Sequence, residues 1–251
     1  MNEERELIKR HLLDLYRKAD RGGYFTFSAF LGLAEQSALR ELDRELSGCY
    51  SLFGGHPDCE RVMARFGRVS EIGYDADFPI TVLRAEPQNQ RFADKLTHRD
   101  FLGAILNLGI KREVIGDIAI INNVGYIFTD SEMADYIAEG LTRVKHTDVK
   151  TTPCSALPVG ELFRTEEKTV QVASERLDAV IARVFHLSRE DAQGYIKKRL
   201  VYVNGALTES SSHNPRPGDV VSVRGAGRFI FRGYVSDTRK GKLNVLVEVY
   251  V

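Results

Sequence analysis

The spacing of apolar residues changes along this chain, and the changes divide it into segments. Leu7, Ile8, His11, Leu12 and Leu15 recur at helical intervals, and Gly22-Gly23 breaks the run. Leu39, Leu42 and Leu46 outline a second helical face that Gly48 ends. Cys49 to Phe53 reads as a short strand, Gly54-Gly55-His56-Pro57 as a turn, and Cys59 to Phe66 as a short helix. Residues 1–76 are therefore expected to be a mostly helical region.

Residues 77–156 alternate between the two periods. Phe78 to Ala85 reads as a strand. Thr97-His98-Arg99-Asp100 has the form of a capping box, followed by the apolar set Phe101, Leu102, Ile105, Leu106 and Leu108, with Gly109 at the stop. Ile118 to Ile121 and Tyr126 to Thr129 read as strands joined by the turn Asn122-Asn123-Val124-Gly125. Ser131 is expected to cap a helix carrying Met133, Tyr136, Ile137 and Leu141, and His146 to Thr152 supplies a last strand. The order β-α-β-β-α-β is the split βαβ, or ferredoxin-like, arrangement that RNA-recognition-motif domains share.

Residues 157–173 have mixed polarity and read as a linker. Residues 174–251 form a third module. Ser174 is expected to cap a helix whose apolar residues Leu177, Val180, Ile181, Val184 and Phe185 form one stripe. Ser188 opens a second helix, with Asp191 at the capping-box position. Ala192, Tyr195, Ile196 and Leu200 face inward, and Arg189, Gln193 and Lys197, four apart, share the other side. Val201 to Val203 is a strand with Asn204-Gly205 as its tight turn. Pro217-Gly218-Asp219 turns into a strand from Val220 to Arg224. Phe229 to Val235 and Leu243 to Val251 then form a hairpin around residues 238–242. The fold class expected is α+β.

Charge sharpens this picture. The chain is neutral overall, but residues 174–251 hold 13 Lys and Arg against 8 Asp and Glu, and the rest holds 22 against 27. A basic C-terminal module on an acidic body suits a partner rich in phosphate. No apolar run approaches the roughly 20 residues of a membrane helix, so no membrane insertion is expected. The charged N-terminus lacks the form of a secretory signal, which makes the expected compartment the cytoplasm. Cys49, Cys59 and Cys154 are odd in number and form no CxxC pair, so neither a zinc site nor a disulfide framework is expected.

The candidate chemistry is nucleic-acid contact. Arg176, Arg183, Arg189, Lys197 and Lys198 lie on helix positions that the apolar stripes leave open, and arginine forks match phosphate oxygens. Asp178 is expected to orient a neighbouring Arg or backbone amide. In Arg224-Gly225-Ala226-Gly227-Arg228, two glycines allow close backbone approach and the arginines flank them with charge. Arg99, Lys111 and Arg112 form a secondary candidate RNA contact, with complementing the dipole of the adjacent helix end an equal alternative for Lys111 and Arg112. Tyr126 and Phe128 faintly echo an aromatic RNA-binding strand, but core packing is the favoured role. The chain has no P-loop, no GxGxxG and no histidine pair at metal-ligand spacing, so no catalytic residue, metal or cofactor is expected.

Ser174-Glu175-Arg176-Leu177-Asp178, Ser188-Arg189, Lys197, Val203-Asn204-Gly205, Gly218-Asp219 and Arg224-Gly225 together resemble an S4 RNA-binding domain. The run from Leu96 to Arg112, Ile115-Gly116-Asp117-Ile118, Phe53-Gly54-Gly55 and Glu60-Arg61 are similar to the YlmH family. That resemblance spans nearly the whole chain. It implies an N-terminal helical region, a central RNA-recognition-motif-like domain and a C-terminal S4 domain in a cytosolic bacterial protein encoded near cell-division genes. It also implies a non-catalytic factor that binds rRNA or tRNA on the large ribosomal subunit and rescues stalled peptidyl-tRNA complexes. Through it, Ser174, Arg176, Asp178, Arg183, Ser188, Arg189, Gln193, Lys197, Lys198, Asn204, Gly205, Arg224, Gly225, Gly227 and Arg228 are the expected RNA-binding set. Two other functions remain open. One is an accessory to RNA modification or a pseudouridine-synthase-like protein, since such enzymes also carry S4 modules. The other is an adaptor for cell-division proteins.

Overall fold

The first helix, α1 (Asn2–Gly22), buries Leu12 and Ala19 and stops where Gly23 takes φ +64°, its amide donating to the Ala19 carbonyl at 3.0 Å. This is a computed structural model, and it describes residues 2–154, 156–158, 162–239 and 241–250. The chain divides into two units, residues 1–162 and residues 163–251.

In the first unit α1 is followed by β1 (Thr26–Phe27), α2 (Leu33–Arg40), α3 (Asp43–Leu46), β2 (Tyr50–Phe53), β3 (Met63–Phe66) and α4 (Val69–Ile72). The expected helix at Cys59 to Phe66 is instead a bridge at Val62 and the strand β3, which is central in the antiparallel order β1-β3-β2. Met63, Ala64 and Phe66 are all buried, so the strand shows no two-residue alternation. Cys59, Val62, Met63 and Phe66 fall at i, i+3, i+4 and i+7, and the two-sided burial of a central strand imitates a helical stripe.

The central elements are β4 (Ile80–Pro87), α5 (His98–Leu106), β5 (Ile115–Ile121), β6 (Val124–Asp130), α6 (Ala134–Gly140), β7 (Arg143–Val144) and β8 (Thr147–Pro153). They form one antiparallel sheet, β5-β6-β4-β8-β7, with the split βαβ strand order at its heart. The Thr97–Asp100 capping box is present at the start of α5. The second helix begins differently from expectation. Asp130, not Ser131, accepts the Glu132 amide, and a single 3-10 turn precedes α6. Phe101, Ile105 and Ile137 pack with Leu83, Ala85 and Ile127 in the core beneath the helices.

Alternation then puts Tyr126 and Phe128 on the opposite sheet face, where the N-terminal segment packs against Phe128. Phe128 is 0% exposed and Tyr126 8%. A Cβ on Gly55 would lie 2.5 Å from the Phe128 ring, and one on Gly116 would lie 2.7 Å from Phe30. Arg61 ties the two parts together, donating to the carbonyls of Ile115 (3.0 Å) and Phe30 (2.7 Å).

The second unit is a six-stranded antiparallel sheet and two helices: β9 (Thr165–Val172), α7 (Leu177–Val184), α8 (Arg189–Lys197), β10 (Val201–Val203), β11 (Ala206–Leu207), β12 (Val220–Val223), β13 (Gly227–Asp237) and β14 (Leu243–Tyr250). Here the 157–173 linker reading fails over most of its length. Strand β9 pairs with β14 from Thr165↔Tyr250 to Val172↔Leu243. It is an edge strand with Glu166, Glu167 and Lys168 open to solvent, and that polarity makes it look like a linker. Residues 159–161 lie outside the described residues, as do Lys240 in the hairpin turn and Val251 at its end. Leu177, Val180, Ile181 and Val184 pack with Ala192, Ile196, Phe229, Phe231, Val245 and Val247 in one core.

Candidate nucleic-acid interface

Helices α7 and α8 meet over a buried carboxylate. Asp178 is 0% exposed and accepts from both helices. Arg176 donates from Nε to Oδ1 at 3.2 Å and from Nη2 to Oδ2 at 3.3 Å. Arg189 donates from Nε to Oδ2 at 3.2 Å, and Gln193 from Nε2 to the same oxygen at 2.9 Å. Burial alone would raise the carboxyl pKa. The donors on Gln193, Arg176 and Arg189 outweigh it together and hold Asp178 below the usual carboxylate range. The Arg189 side chain stays 55% exposed. It meets Asp178 through Nε, so that contact does not use the two Nη groups of its fork. Arg189 and Gln193, expected on an outer face, in fact line the seam between the helices.

The ends of both helices are fixed locally. Ser188 Oγ accepts the Asp191 amide at 3.0 Å, as expected of the cap. Ser174 is not a cap. Arg176 occupies the N-cap position of α7 without a side-chain capping bond, and the first helical amides donate to the carbonyls of His213 (2.8 Å, from Leu177) and Ser211 (3.4 Å, from Asp178). A distant loop thus starts this helix, a signal that local sequence does not carry. Helix α8 stops at Lys198, and Arg199 takes φ +60°. The amides of Arg199 and Leu200 then donate to the carbonyls of Ile196 and Tyr195, closing a Schellman motif around a non-glycine residue.

The two turns differ from their expected roles. Asn204 and Gly205 have φ +50° and +76°, the two positive values of a type I′ hairpin turn. The exposed Asn204 side chain is bonded across the sheet: Nδ2 donates to Asp219 at 2.8 Å and Oδ1 accepts the Val220 amide at 2.9 Å. In the Arg224–Arg228 turn, Gly225 has φ +87° with open space where a Cβ would sit, and Gly227 has φ +143° with Phe185 2.8 Å from that position. Gly225 faces outward, whereas Gly227 serves packing. Arg228 is half-buried and stacks over the Tyr250 ring at 3.7 Å, a cation–π contact not anticipated from sequence. Arg183, Lys197, Lys198 and Arg224 are exposed.

In the first unit, Arg99 and Lys111 are exposed. Arg112 is turned inward and donates to the carbonyls of Ile115 and, at 3.2 Å, Gly116. Burial, with Arg61 beside it, lowers its pKa to about 10. Its role in the first unit is to satisfy backbone acceptors.

Two helices packed over a hydrogen-bonded carboxylate, followed by a strand, a type I′ turn and an antiparallel sheet, define an S4 domain, and the S4 family matches residues 175–221. Residues 74–156 match the family described as "Putative RNA-binding domain in YlmH". In these two domains the chain is similar to proteins of the YlmH family. It is 29% identical over 223 residues, 87% of this chain and 85% of the relative, to Ribosome-associated protein quality control protein P2 of Bacillus subtilis. Over 61 residues, 24% of this chain and 30% of the relative, it is 38% identical to small ribosomal subunit protein uS4 of Chromohalobacter salexigens. A solved structure, Cell division protein ylmH from Streptococcus pneumoniae, aligns with a TM-score of 0.49 at 19% identity, covering 60% of this chain and 91% of that one. Among the described residues, no helix is long and apolar enough to cross a membrane.

Proposed function

We propose that this chain is a non-catalytic RNA-binding factor of the cytoplasm. In this reading it docks on structured rRNA or tRNA of the large ribosomal subunit and acts in rescue of stalled peptidyl-tRNA complexes. The observation that carries the reading is the seam between α7 and α8, where one buried carboxylate fixes two arginines and a glutamine on the S4 module. Pre-oriented guanidinium groups beside Lys197 suit the phosphates and 2′-hydroxyls through which A-form RNA is recognised. The name of the Bacillus subtilis relative gives the setting, ribosome-associated quality control. A non-catalytic role fits the chemistry of Asp178. A buried carboxylate that three side chains hold below its usual pKa is a weak base for a substrate proton.

Sucrose-gradient sedimentation at low salt tests the proposal. The protein is expected in the large-subunit fractions and released by rising salt, since lysine and arginine contacts displace counterions from phosphate. Absence from ribosomal fractions, together with no mobility shift of purified rRNA or tRNA, would rule it out.

A further inference from the structure

We infer that the central domain carries a second RNA contact, at the edge formed by the 88–99 loop and the β7–β8 turn, where Phe92 stacks on an unpaired base. The inference rests on the RNA-binding reading above and adds a separate surface to it.

The sheet face that would ordinarily offer aromatic rings is closed. Phe128 lies against Gly55 of the N-terminal segment and Tyr126 is buried, so no base can reach them. Phe92, by contrast, is 79% exposed. A lone exposed apolar side chain is ordinary on a protein surface, but this one is presented by a built turn. The Asn89 side chain accepts the Arg91 amide at 3.2 Å. The Asp94 amide donates to Thr147 Oγ1 at 2.9 Å, and Asn123 braces the loop with bonds of 2.8 Å from the Leu96 amide and to the Asp94 carbonyl. The loop is pinned on two sides with the ring left outside.

The surroundings are cationic. Residues 88–100 and 142–150 contain six Lys and Arg against three Asp. Two of those carboxylates are engaged within the fold. Asp94 accepts from the His146 amide and Thr147 Oγ1, each at 3.1 Å. Asp100 accepts from Thr97 and pairs with Lys145 Nζ at 2.8 Å. Arg91, Lys95, Arg99 and Arg143 are exposed. The Arg91 guanidinium sits 5.8 Å from the centre of the Phe92 ring, next to where the phosphate of a stacked nucleotide would lie. An aromatic ring with cations around it is the arrangement by which single-stranded segments are held without sequence preference.

The test uses the full chain and purified large-subunit rRNA. Phe92→Ala is expected to weaken binding about tenfold with an unchanged salt slope, because stacking displaces no counterions. Phe92→Tyr should keep wild-type affinity, and Lys95→Ala with Arg99→Ala should flatten the log–log salt slope by about two. An exposed ring contributes little to folding, so the melting temperature of Phe92→Ala should match wild type. Photocross-linking should join the peptide containing Phe92 to a nucleotide. If Phe92→Ala binds like wild type while Arg189→Ala with Lys197→Ala is weakened, this second contact is refuted and the S4 reading stands. Cross-linking on intact subunits that joins the Phe92 peptide only to ribosomal protein also refutes it. If the wild-type chain does not bind RNA, both readings fall.

Discussion

Asp178 Oδ2 accepts from Arg189 Nε at 3.2 Å, joining a carboxylate in the first turn of α7 to the first residue of α8. The acceptor is fully buried and the donor side chain is 55% exposed. Replacing Asp178 with Asn keeps the shape and removes the charge that four donors on three side chains address. Hydrogen bonds to a charged group contribute about 1.5–3 kcal/mol each. Asp178→Asn should therefore destabilise the chain by about 2 kcal/mol in denaturant unfolding and weaken RNA binding through loss of arginine placement.

The same carboxylate gives a pH signature. Its folded pKa is depressed below the unfolded value of about 3.9, so its contribution is complete above that value and is lost as pH falls through the folded pKa. Acid unfolding of the wild type below about pH 4 should be steeper than that of Asp178→Asn, which lacks this proton uptake. Identical acid slopes for the two proteins would remove Asp178 from the account.

Gly225 and Gly227 separate two roles in one turn. At Gly227 an alanine methyl would meet Phe185 at 2.8 Å with φ at +143°, so Gly227→Ala should cost about 2 kcal/mol in thermal or denaturant unfolding. At Gly225 only the positive φ opposes a side chain, and Gly225→Ala should cost about 1 kcal/mol.

Arg112 and Phe128 bear on the central domain. Arg112→Ala would leave the Ile115 and Gly116 carbonyls without this donor, at a cost of about 1–3 kcal/mol, and should leave the salt dependence of RNA binding unchanged. Phe128→Ala should cost about 3–5 kcal/mol while the affinity of the folded fraction stays at the wild-type value. A drop in salt slope with Arg112→Ala would return that residue to the RNA surface.

Much of this arrangement is legible in the sequence. The stripe from Leu177 to Val184 and the cap at Ser188 depend on neighbours within a few residues, and both are present. So are the capping box at Thr97 and the split βαβ order. The misreadings come from tertiary partners. Strand β3 looks helical because both of its faces are covered. Strand β9 looks like a linker because an edge strand pairs through its backbone and leaves Glu166 and Lys168 in water. Ser174 looks like a cap, but α7 begins against carbonyls more than thirty residues away. The types and spacing of the site residues were visible. That Arg176, Arg189 and Gln193 converge on Asp178, while Asn204, Arg112 and Arg228 bond within the fold, emerges only once the helices and sheets are packed.

The most direct test of the RNA-binding face is the affinity of Arg189→Ala with Lys197→Ala for purified large ribosomal subunits across a salt series. The double variant should remain folded, though less stable for the loss of one donor to Asp178, bind at least tenfold more weakly at low salt, and lose about two from the log–log salt slope, one for each phosphate contact removed. Wild-type affinity and slope in a folded double variant would contradict the assignment of this face.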